Sequence, residues 1–153
     1  MQDYFDQASA YLQDSNCAKI KLGAVIVKNN VILSTACNLC APNGNSYNDR
    51  HVHCLRMDVT SGTGYELCKG IHAEVIACLN IRPGRTIEEL AQFANYKKPA
   101  KKDILSAFTA EEKTRLKNAT MYLAGHYYSC DGCKRFLAIL GIRDIRFKES
   151  RIR

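Results

Sequence analysis

The chain has 153 residues, 46% hydrophobic and 24% charged, with a formal charge of +7. That is enough chain for one ordinary globular domain with its own core. The first twenty residues interleave Asp3, Asp6, Asp14 and Lys19 with apolar positions, so no secretory h-region is expected among them. No apolar run is long enough to span a bilayer, so a cytoplasmic protein without a membrane partner is expected.

Residues 2–14 place Tyr4, Ala8, Tyr11 and Leu12 at amphipathic helix spacing. Leu22–Val27 and Val31–Thr35 are β-branched, apolar runs around Asn29-Asn30, a pair that tolerates positive φ and predicts a tight hairpin. Residues 37–70 lack sustained periodicity, and so long a loop inside a domain requires something to pin it. A helical pattern runs from Ile71 to Ile81 and stops before Pro83-Gly84. Thr86 caps a short helix with Ile87, Leu90, Ala91 and Phe93, and Lys97–Asp103 reads as a polar break. Thr109 and Glu112 form a capping box for a helix to about Lys117. Thr120–Ala124 is a predicted strand, Asp131–Leu140 a helix ended by Gly141, and Ile142–Phe147 a last strand. The order predicts a single α/β domain, residues 1–153, with helices covering a mixed sheet and an inserted helical segment at about 82–119.

Eight cysteines in a chain expected to stay in reducing cytosol point away from disulfides and towards metal ligands, a catalytic thiol or small buried hydrophobes. One group stands out. His72-Ala73-Glu74 opens one predicted helix, and Cys130-Asp131-Gly132-Cys133 opens another. A helix N-terminus favours the thiolate that zinc requires. Two sulfurs and one imidazole leave a fourth position for water, as in catalytic rather than structural zinc. Glu74, two residues beyond His72, projects beside the ion, where it can move a proton from the water to a ring nitrogen and a leaving amine. H-A-E or C-x-x-C alone carries little weight. Together, each at a helix start, they match the signature of zinc nucleobase deaminases.

The chain resembles the cytidine and deoxycytidylate deaminase superfamily. Within it, Leu22–Val27 and Tyr65–Glu74 look most like deoxycytidylate deaminases, over about residues 15–80 and 119–148. The resemblance implies a three-layer cytidine-deaminase-like fold, with a mixed central sheet and helices on both faces. It implies one catalytic zinc on His72, Cys130 and Cys133, and Glu74 as catalytic proton shuttle. Asn38 occupies the place of an Asn that contacts the sugar, and the Ala73 N–H and Ser129 carbonyl would read the base. Tyr127 or Tyr128 would stack on the base or else serve as core. Lys19, Lys21 and Arg50 are phosphate candidates by location alone.

Three departures stand out. Ser129 replaces the usual Pro before the first Cys, Ala124–Tyr128 is longer than the usual approach, and the 82–119 segment is additional. Some similar enzymes carry a second, structural zinc. Here Cys17, Cys54 and Cys68 match its ligands, with the fourth open among His53, His51 and Cys40; otherwise these are free cysteines. Such an ion would pin the 37–70 loop.

The expected activity is hydrolytic deamination of a deoxycytidine nucleotide, dCMP to dUMP and ammonia, with a small-molecule nucleotide as partner and a homo-oligomeric assembly as in related enzymes. The basic charge leaves open a base in DNA or RNA as target. Lys97, Lys98, Lys101 and Lys102 read more simply as a solvated run. A catalytically silent zinc-stabilised binding module is a third reading, opposed by the presence of Glu74.

Overall fold

A computed structural model of the chain describes residues 4–12, 21–39, 70–94, 97–125 and 130–148. Its elements are α1 (Tyr4–Leu12), β1 (Gly23–Lys28), β2 (Val31–Cys37), α2 (Ala73–Leu79), α3 (Ile87–Ala91), α4 (Lys101–Ser106), α5 (Ala110–Leu116), β3 (Thr120–Ala124), α6 (Asp131–Ile139) and β4 (Asp144–Phe147). The four strands form one mixed sheet ordered β2-β1-β3-β4. β1 pairs antiparallel with β2 and β3, while β3 and β4 run parallel. A parallel pair needs a crossover, and α6 supplies it.

The hairpin forms where Asn29-Asn30 predicts it. Both residues adopt left-handed backbone, φ 52° and 63°, and Lys28 faces Val31 across the turn. Such a turn matches the twist of the strands it joins. The register slips once: Val27 pairs with Ile32 but Ile26 with Ser34, so Leu33 is the extra residue of a bulge.

β1 is a continuous apolar run because both of its faces are covered. Ala24 and Ile26 point into the larger core with Met121, Leu123, Val75, Ile76, Leu79, Phe136 and Leu137. Val25 and Val27 point the other way, against Ala8 of α1 with Tyr4, Ile32 and Tyr122. The Tyr4 and Phe5 rings each lie 5.1 Å from the Tyr122 ring. These are the helix, sheet and helix layers of the cytidine-deaminase-like fold. Tyr11, expected on the packed face of α1, is 36% exposed; that face is carried by Tyr4 and Ala8.

The segment expected as an insert is built into the core. Leu90, Phe93, Ala94, Ile104, Phe108, Leu116 and Ala119 all belong to the larger cluster. α3 and α5 start on capping boxes, Thr86 with Glu89 and Thr109 with Glu112. The expected polar break at Lys97–Asp103 is corrected: α4 begins at Lys101, inside it. Its Ala100 cap makes no side-chain hydrogen bond, and Ile104 is its one buried residue. It therefore lacks both the start signal and the apolar stripe that announce a helix. At the other end of the domain, Gly141, at φ 87°, closes α6, and its carbonyl accepts from the Asn118 N–H at 2.9 Å. Among the described residues, no helix is long and apolar enough to cross a membrane.

Candidate active site

Two short helices bring the site together, and a donor residue caps each of them. His72 is the N-cap of α2, with extended backbone (φ −75°, ψ 151°). Cys130 is the N-cap of α6 (φ −68°, ψ 161°), and its sulfur accepts from the Cys133 N–H at 3.4 Å. The first N–H groups of a helix have no partner within it and carry partial positive charge. A thiolate at this position is thus stabilised by the fold itself.

His72 Nδ1 lies 3.1 Å from Cys133 Sγ and 3.4 Å from Cys130 Sγ. The three donor atoms lie within 4.8 Å of one another, and among the described residues this is the group able to hold a metal ion. Tetrahedral zinc with nitrogen and sulfur ligands sets neighbouring donors roughly 3.5–3.8 Å apart. The donors fit zinc in type; the two His72–sulfur distances, 3.1 and 3.4 Å, are slightly shorter than that spacing, and Nδ1 is the imidazole atom turned towards the site.

The electrostatics distinguish the two sulfurs. A hydrogen bond from the Cys133 thiol, opposed by burial and reinforced by His72 and the Cys133 backbone N–H, lowers Cys130 to about 4. Cys133 is pushed well above the usual thiol range by that same hydrogen bond, by full burial and by the nearby Glu74 carboxylate. A divalent cation reverses this penalty, because a coordinating thiol is deprotonated outright.

Glu74 is 2% exposed, in the first turn of α2. Burial chiefly, with a contribution from Glu74, also raises the thiol of Cys78, one turn further along. A buried acid among sulfurs is costly unless a function or a cation retains it.

Ala73, fully buried, is the first residue of α2, where its N–H has no acceptor within the helix. Asn38, 5% exposed, follows β2. Its Oδ1 accepts from the Leu22 N–H at 2.8 Å and its own N–H donates to the Leu22 carbonyl at 3.3 Å. The carboxamide is therefore oriented by the end of β1, with the amino group at its other end. Next to it, Leu39 and Ile71 exchange backbone hydrogen bonds at 3.0 and 2.7 Å, joining the end of the hairpin to the start of α2.

Lys21 is exposed beside β1. Cys17, Cys40, His51, His53, Cys54, Cys68, Tyr127, Tyr128, Ser129, Lys19 and Arg50 lie outside the described residues.

Two residues that the sequence reading passed over hold the far end of α2. Ser34 Oγ donates to the Ala77 carbonyl at 2.5 Å. Arg85 donates from Nε to the Leu79 carbonyl at 2.8 Å and from Nη2 to the Ala107 carbonyl at 2.7 Å. No periodic or motif signal marks either one. Ser34 occupies an ordinary strand position, and Arg85 follows a Pro-Gly turn.

An α/β domain carrying a His-Cys-Cys donor set at two helix N-termini, with a buried glutamate alongside, has the pattern of the zinc-dependent nucleobase deaminases. The family model for the cytidine and deoxycytidylate deaminase zinc-binding region matches residues 1–149. The chain belongs to that family. No curated protein sequence matches it significantly.

Solved structures extend the likeness at the level of fold. The dCMP deaminase of cyanophage S-TIM5 in apo form superposes with a TM-score of 0.51 at 17% identity, covering 95% of this chain and 79% of that one. The same enzyme in complex with dCMP and dUMP gives 0.54 at 18% identity, covering 94% and 76%.

Proposed function

We propose that the chain is a zinc-dependent hydrolase that deaminates a deoxycytidine nucleotide, dCMP foremost, to the uridine nucleotide and ammonia. The observation that carries this reading is the convergence of His72 Nδ1, Cys130 Sγ and Cys133 Sγ within 4.8 Å, beside a glutamate that is 2% exposed. Bound at those atoms, zinc supplies a water acidic enough to lose a proton near neutral pH.

Glu74 takes that proton and hands it to N3 of the ring as the water oxygen bonds to C4. It then carries the second proton to the amino group, the C4–N bond breaks, and ammonia leaves. Burial keeps bulk water from short-circuiting these transfers. The Ala73 N–H and the Ser129 carbonyl would read the base edge, Asn38 would hold the sugar, and Tyr128 would stack on the base. A mononucleotide is favoured because the solved relative named above binds dCMP and dUMP.

Ammonia release from dCMP, cytidine, dCTP and single-stranded oligonucleotides, with Glu74→Ala as control, tests the reading. Turnover of dCMP supports it. Turnover of oligonucleotides alone replaces the substrate, and zinc binding without turnover of any of them makes the chain a binding module.

The same reading includes a second, structural zinc on Cys17, Cys54, Cys68 and His53, all outside the described residues. One zinc per chain, undiminished by Cys54→Ser, would overturn that part.

A further inference from the structure

The catalytic donors come from two helices, α2 with His72 and Glu74 and α6 with Cys130 and Cys133, and among the described residues no backbone hydrogen bond joins the two directly. Site geometry therefore depends on whatever fixes the position of α2 along its axis relative to α6. At the donor end the contacts include the His72–sulfur approaches and a side-chain hydrogen bond between Glu74 and Cys133. At the far end there is a brace. α2 has only seven residues, so its C-terminal carbonyls, unused by its own ladder, lie about 10 Å from its first residue.

Arg85 binds one of these carbonyls, that of Leu79, and with the same guanidinium binds the Ala107 carbonyl at the end of α4. The guanidinium also lies over the Phe108 ring, 5.3 Å from its centroid. Phe108 meets Phe136 edge-on at 6.5 Å. Phe136 sits three residues after Cys133 and thus on the same side of α6. The path from Glu74 along α2, through Arg85 and Phe108 to Phe136, and back along α6 to Cys133 is closed and consists of contacts alone.

We propose that Arg85 is a positioning residue for the deaminase centre, setting α2 against α6 so that His72 and Glu74 meet the two sulfurs in register. The 82–119 segment is then the part of the fold that carries this brace. This rests on the deaminase reading for its catalytic consequence, but not for its metal-binding one. An arginine is suited to the task. Its planar fork reaches two carbonyls while its face lies on an aromatic ring, which a lysine cannot do at once. The cationic group also sits at the negative end of the α2 dipole.

The test uses the full chain loaded with one equivalent of zinc and compares Arg85→Gln, Arg85→Lys and the control Arg82→Gln. Arg82 lies in the same segment but makes its side-chain contact to Glu112 at the surface. Two measurements are made at a temperature where all variants are folded: zinc affinity by competition with a chelator, and kcat and KM for dCMP. Arg85→Gln is expected to weaken zinc affinity about 10-fold and to lower kcat by about 10- to 100-fold with KM changed less than threefold. Arg85→Lys should fall between it and the parent, and Arg82→Gln should match the parent in both.

Zinc affinity and kcat of Arg85→Gln within twofold of the parent, with only the melting temperature lowered, would overturn the proposal. An equal loss in Arg82→Gln would do the same. Should Arg85→Gln fail to fold, parent-like values in Arg85→Lys would overturn it and graded losses would uphold it. If the parent binds zinc but deaminates nothing, the function fails while the affinity series still decides the brace.

Discussion

His72 Nδ1 and Cys133 Sγ approach to 3.1 Å across 61 residues of sequence. Neither side chain belongs to a loop free to adjust, because one caps α2 and the other lies in the first turn of α6. Their separation is therefore a property of the helix packing, and the consequences can be measured.

Replacing Glu74 by Gln should separate activity from stability. The carboxylate is buried and raises the pKa of both Cys133 and Cys78. Its neutral isostere relieves that repulsion, so zinc affinity at neutral pH should hold or rise and the melting temperature should rise by a few degrees, about 2–5 °C. Deamination should fall by at least about 100-fold. A coupled loss of zinc and stability in Glu74→Gln would show that Glu74 holds the metal rather than moving protons.

Ser34→Ala should destabilise the domain by about 1–2 kcal/mol in urea titration, because it removes the donor to the buried Ala77 carbonyl. Ser34 is 8% exposed, so water has little access to take its place. An unchanged midpoint would mean that the carbonyl finds another donor.

Gly125 ends β3 at φ 102°, and a Cβ there would press directly on the Lys21 carbonyl. Strain and clash act together at this position. Gly125→Ala should cost about 2–4 kcal/mol and, because Gly125 leads towards Cys130, should reduce zinc affinity as well. Gly84, at φ 90° with open space around it, provides the comparison. Gly84→Ala should lose stability only, with zinc affinity at the parental value.

The pH dependence of stability should carry a component from Glu112. The hydrogen bonds of Arg82, with help from the Thr109 N–H, depress its pKa from 4.5 to about 2. A depressed carboxylate stabilises the folded chain fully above the unfolded value, and that contribution is lost as pH falls from about 4.5 through 2. Glu112→Gln should remove this portion of the acid limb, shifting the melting temperature at pH 7 by at most about 3 °C because the pair is at the surface. Identical melting curves for the two proteins across that window would contradict it.

Much of this architecture is legible in the sequence because local signals and tertiary roles coincide. Asn29-Asn30 can only turn, Thr109-x-x-Glu112 can only begin a helix efficiently, and His72-x-Glu74 with Cys130-x-x-Cys133 has few other uses. Elsewhere the two diverge. α4 has no cap side chain and a single buried residue, so its helicity comes from packing against the domain and not from any pattern of its own. Ser34 and Arg85 matter through the carbonyls they meet, and those partners lie 43, 6 and 22 residues away. Residue type alone does not encode such a meeting. Asn38 is an intermediate case. Family likeness marks the position, but its bond to the Leu22 N–H, which fixes how the amide is turned, emerges only from the register of β1 and β2.

Because His72 and Cys130 are each held by a helix that buries apolar side chains in the main core, burial of those helices would bring the donors together without help from an ion. Small zinc domains behave oppositely, collapsing when their metal is stripped. Here removal of an ion from this one site should leave the helices and sheet of the core standing, with uptake and release running on a clock separate from unfolding. Metal supply would then act on this protein as a reversible switch of its chemistry, without sending the chain to proteolysis.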